Sequence, residues 1–441
     1  MIDKPREKAL EILAHVEEGG FADSYLDQAR RHFDSRDSAF LLELVFGVLR
    51  HRARLDWTLD QFSAQPVAQT DVRTRNILRL GAYQMLFLNK VPVSAAVNTS
   101  TELAKEYGRK SGYVNGLLRN LDRRKKEIAE PSSPDPIKRL SILHSHPAWL
   151  VRRWVARFGP ERTEAVLREN NLPAPLIIRT NTLRTTRDAL KASLESEGAA
   201  AAATKYSPAG LEIVSSPGLQ SLSAYHKGWF LVQDEAAQLV GMLLAPRPDE
   251  TVLDACAAPG GKATHLAELM KNRGRIVAIE SDAARIGRIE ENRERLGASI
   301  IEPVRADAAR FREGAFDKVL IDAPCSGLGV LRRHPDGRWH KKEDALRERA
   351  KAQQSILKNC SSLLKPGGAL VYATCTTEPE ENEGVIAEFL GKAEGRFTID
   401  DPRPGLPEAA RKLVDDRGFF RTFPGEPGMD GFFGARMIKA R

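Results

Sequence analysis

From Gln233 to the C-terminus, short runs of uninterrupted apolar residues alternate with longer helical patterns, and few folds accept that alternation. The runs are Glu250-Thr-Val-Leu-Asp254, Arg275-Ile-Val-Ala-Ile-Glu280, Ile300 to Asp307, Phe316-Asp-Lys-Val-Leu-Ile-Asp322 and Gly368-Ala-Leu-Val-Tyr-Ala-Thr374. Helices are expected between and after them, over 262–271, 282–296, 343–364 and 379–390. A strand with no polar alternation is buried on both faces, so the pattern predicts a mostly parallel sheet covered by helices. Two late runs, Gly418-Phe-Phe-Arg-Thr-Phe423 and Gly431-Phe-Phe-Gly-Ala-Arg-Met-Ile438, have no helix between them. They predict a terminal hairpin and one antiparallel edge. Ligands of such sheets bind beyond the carboxyl ends of the strands.

At 441 residues the chain is too long for a single core. From Pro5 to about Glu130, apolar residues recur at threes and fours, as in Phe40-Leu41-Leu44-Val45-Val48-Leu49, which predicts packed amphipathic helices. Glu130-Pro-Ser-Ser-Pro-Asp-Pro136 is the linker candidate. Beyond it, a helix at Pro147 to Trp154 precedes strands at Leu176 to Leu183, Leu211 to Val214 and Gly228 to Val232, with a helix from Thr186 to Glu197. The alanine tract 199–203 reads as a surface connection. The expected domains are therefore 1–130, all helical; 140–232, a small α+β subdomain; and 233–441, the α/β domain.

A net charge of +8 favours a polyanionic partner such as nucleic acid. Candidate contacts in the helical region are Arg50, Arg52, Arg54, Arg73, Arg75, Arg79, Arg119 and the run Arg123-Arg-Lys-Lys126, with a solvated helix face as the alternative. Arg179, Asn181 and Arg184 of the middle region are further candidates. The four cysteines, Cys256, Cys325, Cys360 and Cys375, show no close metal-type pairing, so no metal is expected, and their scarcity suits a reducing compartment. The opening Met1 to Lys8 lacks a signal-peptide core, and no apolar run is long enough to span a membrane. A cytoplasmic protein that does not engage a membrane is expected.

Three successive strand ends carry a glycine turn, an acid and an acid. Cys256-Ala257-Ala258-Pro259-Gly260-Gly261-Lys262 follows the first strand and opens a helix, where backbone can approach a ligand closely. Glu280 is placed to bind both hydroxyls of a ribose, and Asp307 to meet an adenine amino group, with a helix cap or loop salt bridge as the alternative for either acid taken alone. A phosphate-binding P-loop pattern is absent, which favours S-adenosyl-L-methionine over a dinucleotide. Cys325, in Asp322-Ala-Pro-Cys-Ser326, and Cys375, in Tyr372-Ala-Thr-Cys-Thr376, fall at the ends of the next two strands. Sulfur at that rim suits addition to an electron-poor ring. Buried structural cysteine is the alternative for each.

These stretches resemble the RNA cytosine-C5 methyltransferases of the Sun and nucleolar-protein family. The resemblance also rests on Val232-Gln-Asp-Glu-Ala-Ala-Gln238, Arg332-Arg-His-Pro-Asp-Gly-Arg-Trp339, Pro379-Glu-Glu-Asn382 and Asp430-Gly-Phe-Phe433. It implies a seven-stranded Rossmann-like methyltransferase domain. The helical N-terminus resembles the RNA-binding fold of the antitermination factor NusB, a fusion typical of the family's bacterial branch acting on 16S (small-subunit) rRNA. By the same resemblance, Cys375 is the nucleophile toward cytosine C6, Cys325 assists product release, and Asp322 recognises the base. Asp322 would act either protonated at N3 or accepting from N4; it also borders the cofactor pocket. Lys262 is assigned to the cofactor or the RNA, with a solvated lysine as the alternative. Arg332 to Trp339 reads as a loop for phosphate contact and base stacking, or as a structural loop. Thr376 stands where the family often has serine, and Met429 where some relatives have histidine. The partner expected is 16S rRNA, naked or in a partial small-subunit particle, and the chain is expected to be a monomer. The same reaction on tRNA or 23S rRNA is an alternative, as is a non-catalytic RNA-binding assembly factor. DNA methylation would leave the Thr-Cys cysteine without a purpose.

Overall fold

The computed structural model describes residues 4–424 and 428–441. Of the opening segment read above for a leader, Met1 to Asp3 lie outside the described residues. The chain divides into two compact units: Met1–Pro173 with Leu331–Glu343, and Ala174–Val330 with Asp344–Arg441.

The first unit is helical. Helices α1 (Lys4–Glu17), α2 (Ala22–Arg30), α3 (Ser35–Asp60), α4 (Val72–Phe87), α5 (Val93–Glu106) and α6 (Ser111–Arg123) enclose a core containing Leu10, Leu13, Leu44, Val48, Leu78 and Leu118. Side-chain caps start two of them: Asp34 accepts from Asp37 N–H, and Asp71 from Thr74 N–H. Three shorter helices follow, α7 (Pro136–Leu143), α8 (Ala148–Phe158) and α9 (Pro160–Glu169), so the proline-rich break lies inside this unit.

Several basic residues read as nucleic-acid contacts instead tie helices together. Arg79 is buried, with Nε 2.7 Å from Asp56 Oδ1, and it also pairs with Glu17. Arg75 pairs with the same Glu17 carboxylate 2.5 Å away. Arg73, Arg119 and Arg123 to Lys126 remain exposed.

Leu331–Glu343 completes the unit, and its hydrogen bonds favour the structural-loop alternative for Arg338 and Trp339. Arg338 has 0 % exposure, and its guanidinium donates to Asn171 Oδ1 at 2.7 Å, Asn170 O at 3.0 Å and Ser145 O at 3.1 Å. Trp339 Nε1 donates to Leu49 O at 2.9 Å, Asp336 accepts from Ala22 N–H at 3.1 Å, and Arg50 donates to Arg332 O at 3.3 Å. Arg338 and Trp339 thus satisfy backbone carbonyls of the helical unit.

The second unit contains two sheets. The smaller is antiparallel, order β2-β3-β1-β4, from β1 (Leu176–Thr180), β2 (Ala200–Ala203), β3 (Gly210–Ser215) and β4 (Phe230–Val232). The alanine tract is therefore an edge strand rather than a connection. Arg179 and Asn181 are also corrected. Both are buried, Asn181 donating to Gly228 O and Leu296 O, each at 2.8 Å.

The larger sheet runs β10-β12-β9-β8-β5-β6-β7, with β11 pairing off that path to β12. Its strands are β5 (Thr251–Ala255), β6 (Arg275–Glu280), β7 (Ile301–Arg305), β8 (Phe316–Asp322), β9 (Leu364–Thr374), β10 (Phe397–Ile399), β11 (Phe419–Arg421) and β12 (Phe433–Lys439). The strands β7-β6-β5-β8-β9 are mutually parallel, and β12 enters antiparallel between β9 and β10. Successive residues of one strand feed opposite cores: Val252 and Leu320 face Leu239, Leu266 and Ile289, whereas Leu253 and Ile321 face Leu357, Ile386 and Phe389. This two-sided burial is why the strands read as continuous apolar runs. No helix among the described residues is long and apolar enough to cross a membrane.

Candidate active site

All of the candidate groups lie on the carboxyl edge of the parallel strands. The chain leaves β5 with Cys256 at φ +63° and turns on Gly260 at φ +95°, a left-handed value that glycine adopts without strain. A Cβ at Gly260 would also lie 3.3 Å from Ile289 Cα. The helix Gly261–Leu269 starts at once and has no side-chain cap, so its first N–H groups point into the turn. Glu280 is the last residue of β6 and is buried, and Asp307 lies two residues past β7. Asp307 Oδ1 accepts from Ala309 N–H at 2.9 Å, closing the loop around it.

Two buried carboxylates here have unmet hydrogen-bonding capacity. Neither oxygen of Asp254 has a hydrogen-bond partner, and Glu280 Oε2 accepts none, with Arg285 Nη1 3.4 Å away. Burial, with the nearby Asp322 charge, pushes the Asp254 carboxyl up to about 8, against an opposing pull from Lys262. Orphaned acceptors beside a glycine turn and a helix N-terminus suit a ligand that brings hydroxyl and ammonium donors, as S-adenosyl-L-methionine does.

Asp322 closes β8 and is held by Lys262, whose Nζ lies 2.6 Å from Asp322 Oδ2. Burial alone would lower the lysine pKa, but the Asp322 charge and hydrogen bond outweigh it and raise it. Lys262 Nζ also sits 5.6 Å from the Phe432 ring centroid. Lys262 is thus committed to Asp322, while Asp322 Oδ1 has no hydrogen-bond partner among the described residues.

Cys325 lies on the loop after β8 and Cys375 directly after β9. Their sulfurs are 3.4 Å apart, and both side chains are half-buried. The hydrogen bond with Cys375, together with burial, raises the Cys325 pKa well above the ordinary thiol value. Cys360 is fully buried in the core, its Sγ 3.4 Å from Ala308 O. Burial likewise raises Cys256, which packs against the same core from the glycine turn. Among the described residues, no group of three His, Cys, Asp or Glu side chains could hold a metal ion. The sequence does not single out Asp254, which lies on β5 six residues before Gly260; its unpartnered oxygens make it a further candidate.

Comparison with known proteins finds three family matches along the chain. A family described as 16S rRNA methyltransferase RsmB/F covers residues 241–438. The NusB family covers residues 3–123, and the ferredoxin-like domain of RsmF/B-like methyltransferases covers 146–219. A Bacillus subtilis protein described as a probable ribosomal RNA small subunit methyltransferase B is 35 % identical over 98 % of this chain and 98 % of its own. The ribosomal RNA small subunit methyltransferase B of Pseudomonas putida is 36 % identical over 99 % and 98 %. A crystal structure of a protein designated PH0851 matches with a TM-score of 0.82 at 28 % identity, covering all of both chains.

Proposed function

We propose that this chain, which belongs to the 16S rRNA methyltransferase RsmB/F family, methylates C5 of a cytosine in small-subunit rRNA through a covalent cysteine–C6 adduct. The observation that carries the reading is the pair of thiols 3.4 Å apart at adjacent strand ends, beside the Lys262–Asp322 pair. Cytosine C5 becomes nucleophilic only after something adds to C6, and a thiolate is a competent adding group.

Cys375 Sγ forms the bond to C6, and the ring electrons move to C5, which takes up a methyl group. S-adenosyl-L-methionine, when bound, supplies that methyl as an electrophile. The turn from Cys256 to Lys262, Glu280 and Asp307 would hold it. Loss of the C5 proton then restores the C5–C6 double bond and expels Cys375. Cys325, whose sulfur lies 3.4 Å from that of Cys375, is placed to assist release, and Cys375 is taken as the attacking sulfur because the family resemblance gives the Thr-Cys cysteine that role. Asp322, with Oδ2 engaged by Lys262, has Oδ1 to meet the Watson–Crick edge of a base swung out of its stack.

Residues 1–130 serve this reading as the RNA-binding region, supported by the exposed Arg73, Arg119 and Arg123, with 140–232 as accessory and 233–441 as catalytic. The protein acts on rRNA in the cytoplasm as a monomer. Replacing Cys375 by alanine is expected to abolish methyl transfer, whereas Cys325→Ala leaves an RNA adduct that survives denaturing gels. An active Cys375→Ala enzyme, with no adduct in Cys325→Ala, would refute the assignment. Bisulfite mapping of rRNA from cells with and without the gene identifies the target, and unchanged 16S positions would remove small-subunit rRNA as substrate.

A further inference from the structure

Two consecutive buried residues, Glu381 and Asn382, reach the backbone on either side of the two thiols. Glu381 has 0 % exposure. Its Oε1 accepts from Ser326 N–H at 2.8 Å and from Gln353 Nε2 at 3.0 Å, and its Oε2 accepts from Ser326 Oγ. Gln353 Nε2 also donates to Pro324 O at 3.0 Å, so both chain neighbours of Cys325 are tied to this pair. Asn382 does the same for Cys375: Nδ2 donates to Thr376 O at 2.9 Å, and Oδ1 accepts from Thr374 Oγ1 at 2.6 Å. The two halves join at Ser326 Oγ, 2.8 Å from Thr376 Oγ1. Because Ser326 gives its own proton to Glu381, it accepts from Thr376. Tyr372 OH anchors the turn by donating to Glu381 O at 2.7 Å.

We propose that Glu381 and Ser326 are positioning residues that hold the Cys325 sulfur against the Cys375 sulfur. Neither touches the reacting atoms. Each acts through the loop that carries Cys325, and its catalytic consequence rests on the two-cysteine reading given above. Burial raises the Glu381 pKa while the donors from Ser326 and Gln353 oppose that rise, as expected of a carboxylate kept for its acceptor geometry. The hydroxyl of Thr376, rather than its methyl, makes the joining contact.

Sulfur proximity can be read without RNA. Diamide takes two electrons and two protons from the thiols: both S–H bonds break, one S–S bond forms, and the azo N=N becomes a hydrazine. In the full chain, mass-spectrometric peptide mapping is expected to show a Cys325–Cys375 disulfide forming about tenfold more slowly in Glu381→Gln and Ser326→Ala than in the wild type, the size expected for losing a hydrogen bond to a charged group. Cys256 alkylation stays unchanged as the internal control. With RNA, the same variants should accumulate a covalent complex despite an intact Cys325, with kcat lowered and KM for RNA unaltered. Thr376→Val, which cuts the join from the other side, carries the same expectation should either variant fail to fold. Wild-type disulfide rates in folded variants would overturn the positioning role. Slowed disulfide formation with no adduct in Cys325→Ala would leave positioning intact and overturn the cysteine assignment instead.

Discussion

Replacing Asp254 by asparagine should make the protein's stability less sensitive to alkaline pH. The carboxyl is fully buried at the end of β5 with neither oxygen hydrogen-bonded, and its pKa rises from 3.8 to about 8. Between those values the folded chain retains a proton that the unfolded chain has released, so this group's contribution to stability falls as pH rises. At ~1.4 kcal/mol per pH unit, its penalty grows from about 2 kcal/mol near pH 5.5 to about 5 kcal/mol near pH 8.5, a difference of about 3 kcal/mol. Asparagine is nearly isosteric and does not titrate, so whatever fixed cost it brings is the same at both pH values. For a domain of this size, about 3 kcal/mol corresponds to roughly 6–12 °C in Tm. Scanning calorimetry on wild type and Asp254→Asn at the two pH values reads the quantity as a double difference. The Tm of the variant should gain on the wild type by that amount on going from acid to alkali. A difference that does not change with pH, or that moves the other way, would show that Asp254 is ionised in the folded protein, and the reasoning would be refuted.

Other substitutions test the buried guanidinium groups and the glycine turn. Arg179 is fully buried, with Nη2 2.8 Å from Glu268 Oε1 and Nη1 2.6 Å from Gly261 O. Arg179→Met strands the buried Glu268 charge and should cost about 3–5 kcal/mol in urea unfolding. The double change with Glu268→Leu should recover most of that stability but not S-adenosyl-L-methionine affinity measured by calorimetry, because Gly261 O stays without its donor. Arg338→Met removes the donor to Arg50 O in α3 and to Ser145 O, Asn170 O and Asn171 Oδ1, and should cost about 1–3 kcal/mol, read by hydrogen exchange in α3 and α9. Gly228→Ala should be poorly tolerated, since a Cβ there would lie 1.9 Å from Arg295 O, and soluble yield of the variant measures it.

What could be read from the chain follows from how each element is stabilised. The parallel strands announced themselves because burial on both faces demands unbroken apolar runs such as Val252-Leu253 and Leu320-Ile321. The strand Ala200–Ala203 gave no such signal, because alanine has little intrinsic preference for strands and pairing with β3 supplies the order. Arg79, Arg179 and Arg338 were all legible as charges but not as buried ones, and Arg75 not as a partly buried one. Their partners are Glu17, Glu268 and backbone carbonyls such as Ser145 O, and a carbonyl leaves no trace in a sequence. The motifs around Cys325 and Cys375 marked the candidate site, and Asp322 and Glu280 do terminate their strands. The sulfur–sulfur contact and the commitment of Lys262 to Asp322 depend on register between β8 and β9 and on the turn after β5, which only the folded chain displays.

The helical unit is discontinuous: Arg338, Trp339 and Asp336 reach it from a segment made long after Pro173. During synthesis, the carbonyls of Ser145 and Asn170 and the Asn171 side chain must therefore wait for a donor that the ribosome has not yet delivered. At about 5–20 residues per second the interval is on the order of 10–30 s, long compared with the folding of small helical bundles. A polypeptide stopped at Pro173 should accordingly remain incompletely protected and prone to aggregate, and a synthetic peptide covering 331–343 should rescue it.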